Sequence, residues 1–318
     1  MEETTTTRIR LPRYRRTQTE VSFALTQRDV EILALVESFR LATSEHIQAL
    51  APGSNQNILR RLQKLFHAGY LDRLREAPGY GGGSQKMVYA ITNQGVRELH
   101  KRGFIENPSA GDRNANNRGL RDLSMRHTLL ISHIRAVVTS AVRSRADIEL
   151  LFWKEGPETY DAIEVALPQG YTRVPVAPDA FFSLEDPKGK MYFFLEADRG
   201  TMTLDRFTLK LKAYAAYWRE KRHHDKFSIC YFRVLTVTTS AARATHLVRR
   251  AEEDDEVRSL GRLFLFSDTD KLRLEKPESM FERIWTTPNQ EDPVSILGGA
   301  PSKNPTKEDV PCPISQQG

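Results

Sequence analysis

The chain has 318 residues, 39% of them hydrophobic and 28% charged, with a net charge of +6. That is enough apolar content for packed cores and, as a soft prior, for two domains. No apolar run is long enough for a membrane span, the Arg-rich N-terminus lacks the apolar stretch of a secretory signal, and two distant cysteines, Cys230 and Cys312, cannot build a cysteine-based zinc cluster. A reducing, cytoplasmic setting is the expectation.

The charge is uneven. Residues 1–102 hold 16 Lys and Arg against 10 Asp and Glu, while the remainder is balanced. A polyanionic partner is therefore expected for the N-terminal third. Residues 1–22 read as a basic arm without periodicity, carrying Arg8, Arg10, Arg13, Arg15 and Arg16. Such an arm can follow phosphates or enter a minor groove, or remain a solvated tail.

From Thr26 the spacing of Val30, Leu33, Ala34, Val36 and Phe39 predicts a capped helix. Thr43 to Glu45 opens a short second helix with Ile47 and Leu50. Ser54 opens a third, with Ile58, Leu59, Leu62, Leu65 and Phe66 as its apolar positions, ended by Gly69. Residues 71–75 read as a strand, 77–84 as a Gly-rich loop, and 86–91 as a returning strand. Thr92 caps a last helix that runs through Leu99. The polar face of the third helix offers Asn55, Gln56, Asn57, Arg60, Arg61 and Lys64, side chains suited to base edges in a major groove. Arg73, Arg75 and Lys86 flank the loop, where phosphate contact is expected.

Residues 103–122 have linker composition. A long helix follows over 124–144; its His127 and His133 are six apart, which is not the spacing of a zinc pair. Strands are predicted over 148–153 and 159–167. Residues 176–218 then read as strand, tight turn, strand and helix. Asp179 opens the first of these strands. Glu196 and Asp198 close the second, pointing to one face. Paired as a hairpin, the strands gather acids at one sheet edge, the oxygen-rich kind of site that suits Mg²⁺. Further on, a strand is expected over 227–237, a helix over 240–251, a strand over 263–266 and a short element over 277–285. From residue 288 the polar, Pro-rich chain is expected to be disordered. The domains expected are therefore 23–102 and 123–287, with the linker at 103–122 and a tail at 288–318.

The order helix, helix, helix, strand, loop, strand, helix, with Leu-Phe-His-Ala-Gly-Tyr-Leu at 65–71 and Tyr-Ala-Ile-Thr-Asn-Gln-Gly at 89–95, resembles the winged helix-turn-helix domains of bacterial regulators. Pro178-Asp179 and Glu196-Ala197-Asp198 resemble the PD-(D/E)xK motif of restriction-endonuclease-like nucleases. That resemblance implies an α/β domain with a mixed central sheet, and Mg²⁺ on Asp179 and Glu196. It departs where the motif's lysine falls on Asp198. Lys210 or Lys212 could supply the missing amine; otherwise the domain binds without cutting. The combination, above all Phe-Leu-Glu-Ala-Asp-Arg-Gly-Thr at 194–201, is similar to the replication-relaxation family.

The family resemblance implies action on double-stranded plasmid or mobile-element DNA, with other replication or transfer proteins, or a second copy of the chain, as further partners. Two readings stand side by side. One is a Mg²⁺-dependent nickase with Asp179, Glu196 and Asp198 on the metal and Lys210 on the phosphate. The other is a non-catalytic initiator or regulator with a degenerate nuclease fold. A tyrosine nucleophile would be a different route to relaxation, but Tyr214 and Tyr217 fall at apolar spacing and read as core.

Overall fold

The computed structural model describes residues 12–17, 23–75, 86–106 and 111–297. The chain divides into two compact units, 1–136 and 137–318.

In the first unit, α1 (Gln27–Phe39), β1 (Ala42–Thr43), α2 (Ser44–Leu50), α3 (Asn55–His67), β2 (Leu71–Leu74), β3 (Val88–Ile91) and α4 (Asn93–Lys101) follow in order. The helices start where hydroxyl side chains can satisfy their first amides: Thr26, Thr43, Ser54 and Thr92 each accept from the third residue on. Inward positions at helical spacing, such as Val30, Leu33, Ile58, Leu62 and Leu65, are buried. The three strands form an antiparallel sheet in the order β1-β3-β2. Gly95 is required where α4 meets β2 and β3, because a Cβ there would lie 2.6 Å from both Tyr70 O and Ile91 Cγ1. The Gly-rich loop expected over 77–84 lies outside the described residues, as do Arg8 and Arg10.

The stretch 103–122, read as linker from its composition, contains a helix, α5 (Arg113–Gly119). Its Asn and Asp residues act as clamps. Asp112 caps the helix and accepts from Asn93 Nδ2 at 2.8 Å. Asn117 donates to Asp72 Oδ2 and Ile91 O, both at 2.9 Å, and Arg113 pairs with Glu37. The long helix α6 (Asp122–Arg143) comes next, and the division between the units falls within it.

The second unit is built on a seven-stranded mixed sheet. Its order is β12-β11-β10-β9-β8-β7-β4, from β4 (Glu149–Lys154), β7 (Ala180–Asp186), β8 (Gly189–Asp198), β9 (Arg233–Thr238), β10 (Phe264–Asp268), β11 (Trp285–Thr287) and β12 (Gln290–Val294). The β8–β9 and β9–β10 pairs are parallel; the others are antiparallel. The parallel crossovers carry α7 (Leu204–Arg219) and α9 (Ala241–Glu252), as such connections require. A separate hairpin, β5 (Asp161–Leu167) with β6 (Gly170–Val176), joins its Ile163, Val165, Val174 and Val176 to the core around Phe207, Leu211 and Tyr214.

Three details differ from expectation. β6 was not anticipated, because its exposed face (Tyr171, Arg173, Pro175) hides the alternation of Val174 and Val176. Residues 227–232 are not strand: a short helix, α8 (Arg222–Phe227), and a loop precede β9, which starts at Arg233. The chain beyond 288 is ordered at first, since β12 pairs with β11 and Ile296 is fully buried. The polar letters of Gln290-Glu291-Asp292 suit an edge strand.

Candidate functional site

In the first unit, α3 is strongly amphipathic. Ile58, Leu62, Leu65 and Phe66 are buried, while Asn55, Gln56, Asn57, Arg60 and Lys64 are exposed on the other side. Leu59, expected among the apolar positions, is 44% exposed within that polar face. Arg61 does not belong with them. Its Nε donates to Asp29 Oδ1 at 2.5 Å and its Nη2 pairs with Oδ2, while the guanidinium lies 5.0 Å from the Phe23 ring centroid. Asp29 is fully buried. Burial raises its carboxyl pKa, but the bonds from Arg61 and Thr26 outweigh that and hold it below the ordinary value. Spacing alone placed Arg61 on the exposed face; its partner lies 32 residues away on α1.

The flanking cations are also engaged. Arg73 is half-buried, with its guanidinium 4.5 Å from the Phe66 ring and Nη1 donating to Arg13 O at 2.9 Å. Arg75 is exposed over the Tyr14 ring, and Lys86 pairs with Glu45 at the surface.

In the second unit, β7 and β8 pair as the expected hairpin, with Ala180 opposite Leu195. Asp179 N donates to Leu195 O, and Asp179 Oδ2 accepts from Ala197 N at 2.8 Å. That places the Asp179 carboxylate against the end of β8 that carries Glu196. Lys210 Nζ, from α7, pairs with Glu196 Oε2, and Tyr214 OH donates to Oε1 at 2.5 Å. Leu204, Phe207, Leu211 and Tyr214 seat α7 against the sheet, which brings Lys210 onto the carboxylate.

Glu196 is buried, and burial pushes its pKa up to about 7; the Lys210 ammonium opposes this and the Asp179 charge adds to it. For Lys210, burial works against the charged form, but Glu196 and Asp179 outweigh it and its pKa rises. Tyr214 is fully buried, and burial together with Glu196 holds its phenol firmly protonated. Tyr217 is likewise inaccessible. Neither is disposed as a nucleophile. The hydroxyl of Tyr214 nonetheless ends on Glu196, a contact that its apolar spacing concealed.

Asp198, expected with the metal ligands, has other partners. Arg243 spans it with Nε to Oδ2 at 2.9 Å and Nη2 to Oδ1 at 3.3 Å; Thr238 Oγ1 and Gly200 N donate to Oδ2 at 3.2 and 3.1 Å. Lys212, the other candidate amine, pairs with Asp254 instead. Among the described residues no group of three or more His, Cys, Asp and Glu is arranged to hold a metal ion.

The sequence pattern of the replication-relaxation family matches residues 33–229, more than half of the chain. The chain belongs to the replication-relaxation family. The match runs from within α1 to just past α8, so it contains α3, Asp179, Glu196, Lys210 and Tyr214. In this family member Asp198 lies inside the matched region and its partner Arg243 outside it. No curated protein and no solved structure matches the chain. No helix among the described residues is long and apolar enough to cross a membrane.

Proposed function

We propose that the chain is a double-stranded-DNA-binding protein of plasmid or mobile-element replication and relaxation. In this reading the first unit is a winged helix whose α3 enters the major groove, and the second is a restriction-endonuclease-like domain that cuts a phosphodiester with Mg²⁺. The observation that carries the catalytic part is the convergence of Lys210 on Glu196 beside Asp179. It supplies, from a helix, the amine that the strand motif lacks at Asp198. Family membership supports the replication theme.

The donor set fits a hard cation in part. Asp179 and Glu196 offer carboxylate oxygens of the right kind. Asp198 does not fit, because Arg243, Thr238 and Gly200 already use its carboxylate. Asp179 and Glu196 would hold the ion, Glu196 after releasing its bond from Lys210. Bound there, Mg²⁺ supplies activation of a water and neutralisation of charge on the phosphate. Lys210 carries a positive charge at the same place and stabilises the charge that builds on the phosphoryl oxygens. Tyr214 fixes the Glu196 carboxylate, and the surrounding apolar core limits water.

Conversion of supercoiled plasmid with Mg²⁺ or Mn²⁺ tests this. Nicking or relaxation by the wild type, lost by at least about 100-fold in Asp179→Ala, Glu196→Ala and Lys210→Ala, is the expected result. The second reading is a non-catalytic initiator or regulator. It is favoured by the fact that both oxygens of Glu196 are held by the chain's own donors. Duplex binding without conversion under either metal would select it.

A further inference from the structure

Residues 12–17 form a charged segment outside both α3 and the Asp179–Glu196 site. Residues 12–17 lie along β2. Arg16 donates from Nε to Phe66 O at 3.0 Å, and from Nη2 to Leu71 O at 3.1 Å and Asp72 Oδ1 at 2.5 Å. Thr17 N donates to His67 Nδ1 at 3.1 Å. Farther along the strand, Arg73 Nη1 holds Arg13 O, and Arg75 lies 4.6 Å from the Tyr14 ring centroid. These pairs fall in reverse order: 17 and 16 at the end of α3 and the start of β2, 14 and 13 toward the end of the strand. The segment is therefore seated antiparallel to β2, beside the C-terminal end of α3.

The seating explains two sequence features at once. Arg73 lies over the Phe66 and Tyr89 rings and donates to this segment. Asp72, the acid in β2, is occupied by Arg16 and by Asn117 at 2.9 Å. Arg13 and Arg15 are exposed, as are Arg60 and Lys64 on α3. The result, among the described residues, is a run of cations beside an Asp72 that is already paired, which is the electrostatic footprint of a polyanion site.

We infer that residues 12–17 form a second DNA contact: Arg16 and Arg73 seat the segment on β2, and Arg13 and Arg15 meet duplex phosphates flanking the groove that α3 enters. This rests on reading the first unit as a duplex-binding module. Arg16 is a positioning residue; its side chain is directed at two carbonyls and a carboxylate.

The test is a salt titration of binding to a labelled mixed-sequence duplex, using the full chain. Arg13→Ala/Arg15→Ala is expected to lower the slope of log K against log salt by about two and to weaken binding roughly tenfold or more at low salt. Arg16→Lys retains the charge but loses the fork, and is expected to lower the slope as well; a role for Arg16 as charge alone would leave it unchanged. Arg60→Ala/Lys64→Ala, measured alongside, reports on α3. If the wild type binds and the α3 variant is weakened while the Arg13/Arg15 variant keeps its slope and affinity, the second contact is overturned and the first stands. If the wild type does not bind duplex at all, both are overturned.

Discussion

Lys210 on α7 reaches Glu196 at the end of β8, 14 residues away in sequence, and forms an ion pair at a buried carboxylate. Removing the amine leaves Glu196 with Tyr214, burial and the Asp179 charge, so its pKa climbs further. If the pair serves catalysis, Lys210→Met abolishes plasmid conversion while leaving duplex binding intact, and Lys210→Arg keeps only part of the activity because a planar fork cannot replace a point charge. Equal loss of binding and conversion would mean that Lys210 acts through the fold.

Glu196 also sets a pH dependence. Its pKa rises from an ordinary 4.5 to about 7 in the folded chain. The folded state therefore binds a proton that the unfolded state has released between those values. The stability from this group is fully present below pH 4.5 and falls as pH rises to 7, by up to about 3 kcal/mol. Urea unfolding across this range should show that slope in the wild type and not in Glu196→Gln. Metal-dependent conversion should move the opposite way, rising toward pH 7 as the carboxylate becomes available.

The Arg61–Asp29 pair separates stability from binding within one helix. Arg61→Ala leaves the fully buried Asp29 without its counter-charge and should cost about 3–5 kcal/mol in urea unfolding. Arg60→Ala, one residue earlier and exposed, should stay within about 0.5 kcal/mol of wild type yet weaken duplex binding. Because the Asp29 pKa is held down, the stability from the pair is present above the ordinary carboxylate range and is lost on acidification below it. Wild-type stability for Arg61→Ala would refute this assignment.

What could be read in the sequence depended on how local the cause was. Caps and apolar spacing are local, so Thr26, Ser54, Thr92 and the β7–β8 hairpin with Asp179 beside β8 were legible from the residues themselves. The partners of ionic side chains are not local. Arg61 finds Asp29 on another helix, and Asp198 finds Arg243 on α9, four elements later. The same limit hid Tyr214, whose apolar spacing is real but whose hydroxyl ends on Glu196. Residues 111–119 misled for a related reason: Asn and Asp favour loops by bonding to nearby backbone, and here Asp112 caps a helix while Asp112, Asn114 and Asn117 reach Asn93, Ile91 and Asp72.

Asp198 tests whether the strand acids act together. Its carboxylate is nearly saturated by Arg243, Thr238 and Gly200. Asp198→Ala should therefore lower stability by about 3–5 kcal/mol, by leaving Arg243 uncompensated, and leave Mn²⁺ affinity unchanged in calorimetry. Glu196→Ala should abolish that affinity. Equal loss of Mn²⁺ binding in both variants would return Asp198 to the ligand set.

The far end of the sheet offers a sign reversal. Arg233 on β9 is only 7% exposed; it lies over the Phe193 ring and donates to Ile296 O at 2.6 Å, and burial pulls its pKa down to about 10. In the full chain, Arg233→Met leaves that carbonyl without its donor and should cost about 1–2 kcal/mol. Truncation after Thr287 removes β12 and Ile296, strands the buried guanidinium and uncovers Trp285, so it should cost more, about 3 kcal/mol. In the truncated chain there is no carbonyl left to orphan and a buried cation to relieve. There Arg233→Met should stabilise rather than destabilise, because an apolar side chain of similar length replaces an uncompensated charge. Additive losses across the four proteins in urea unfolding would show that Arg233 and the final strand are energetically independent.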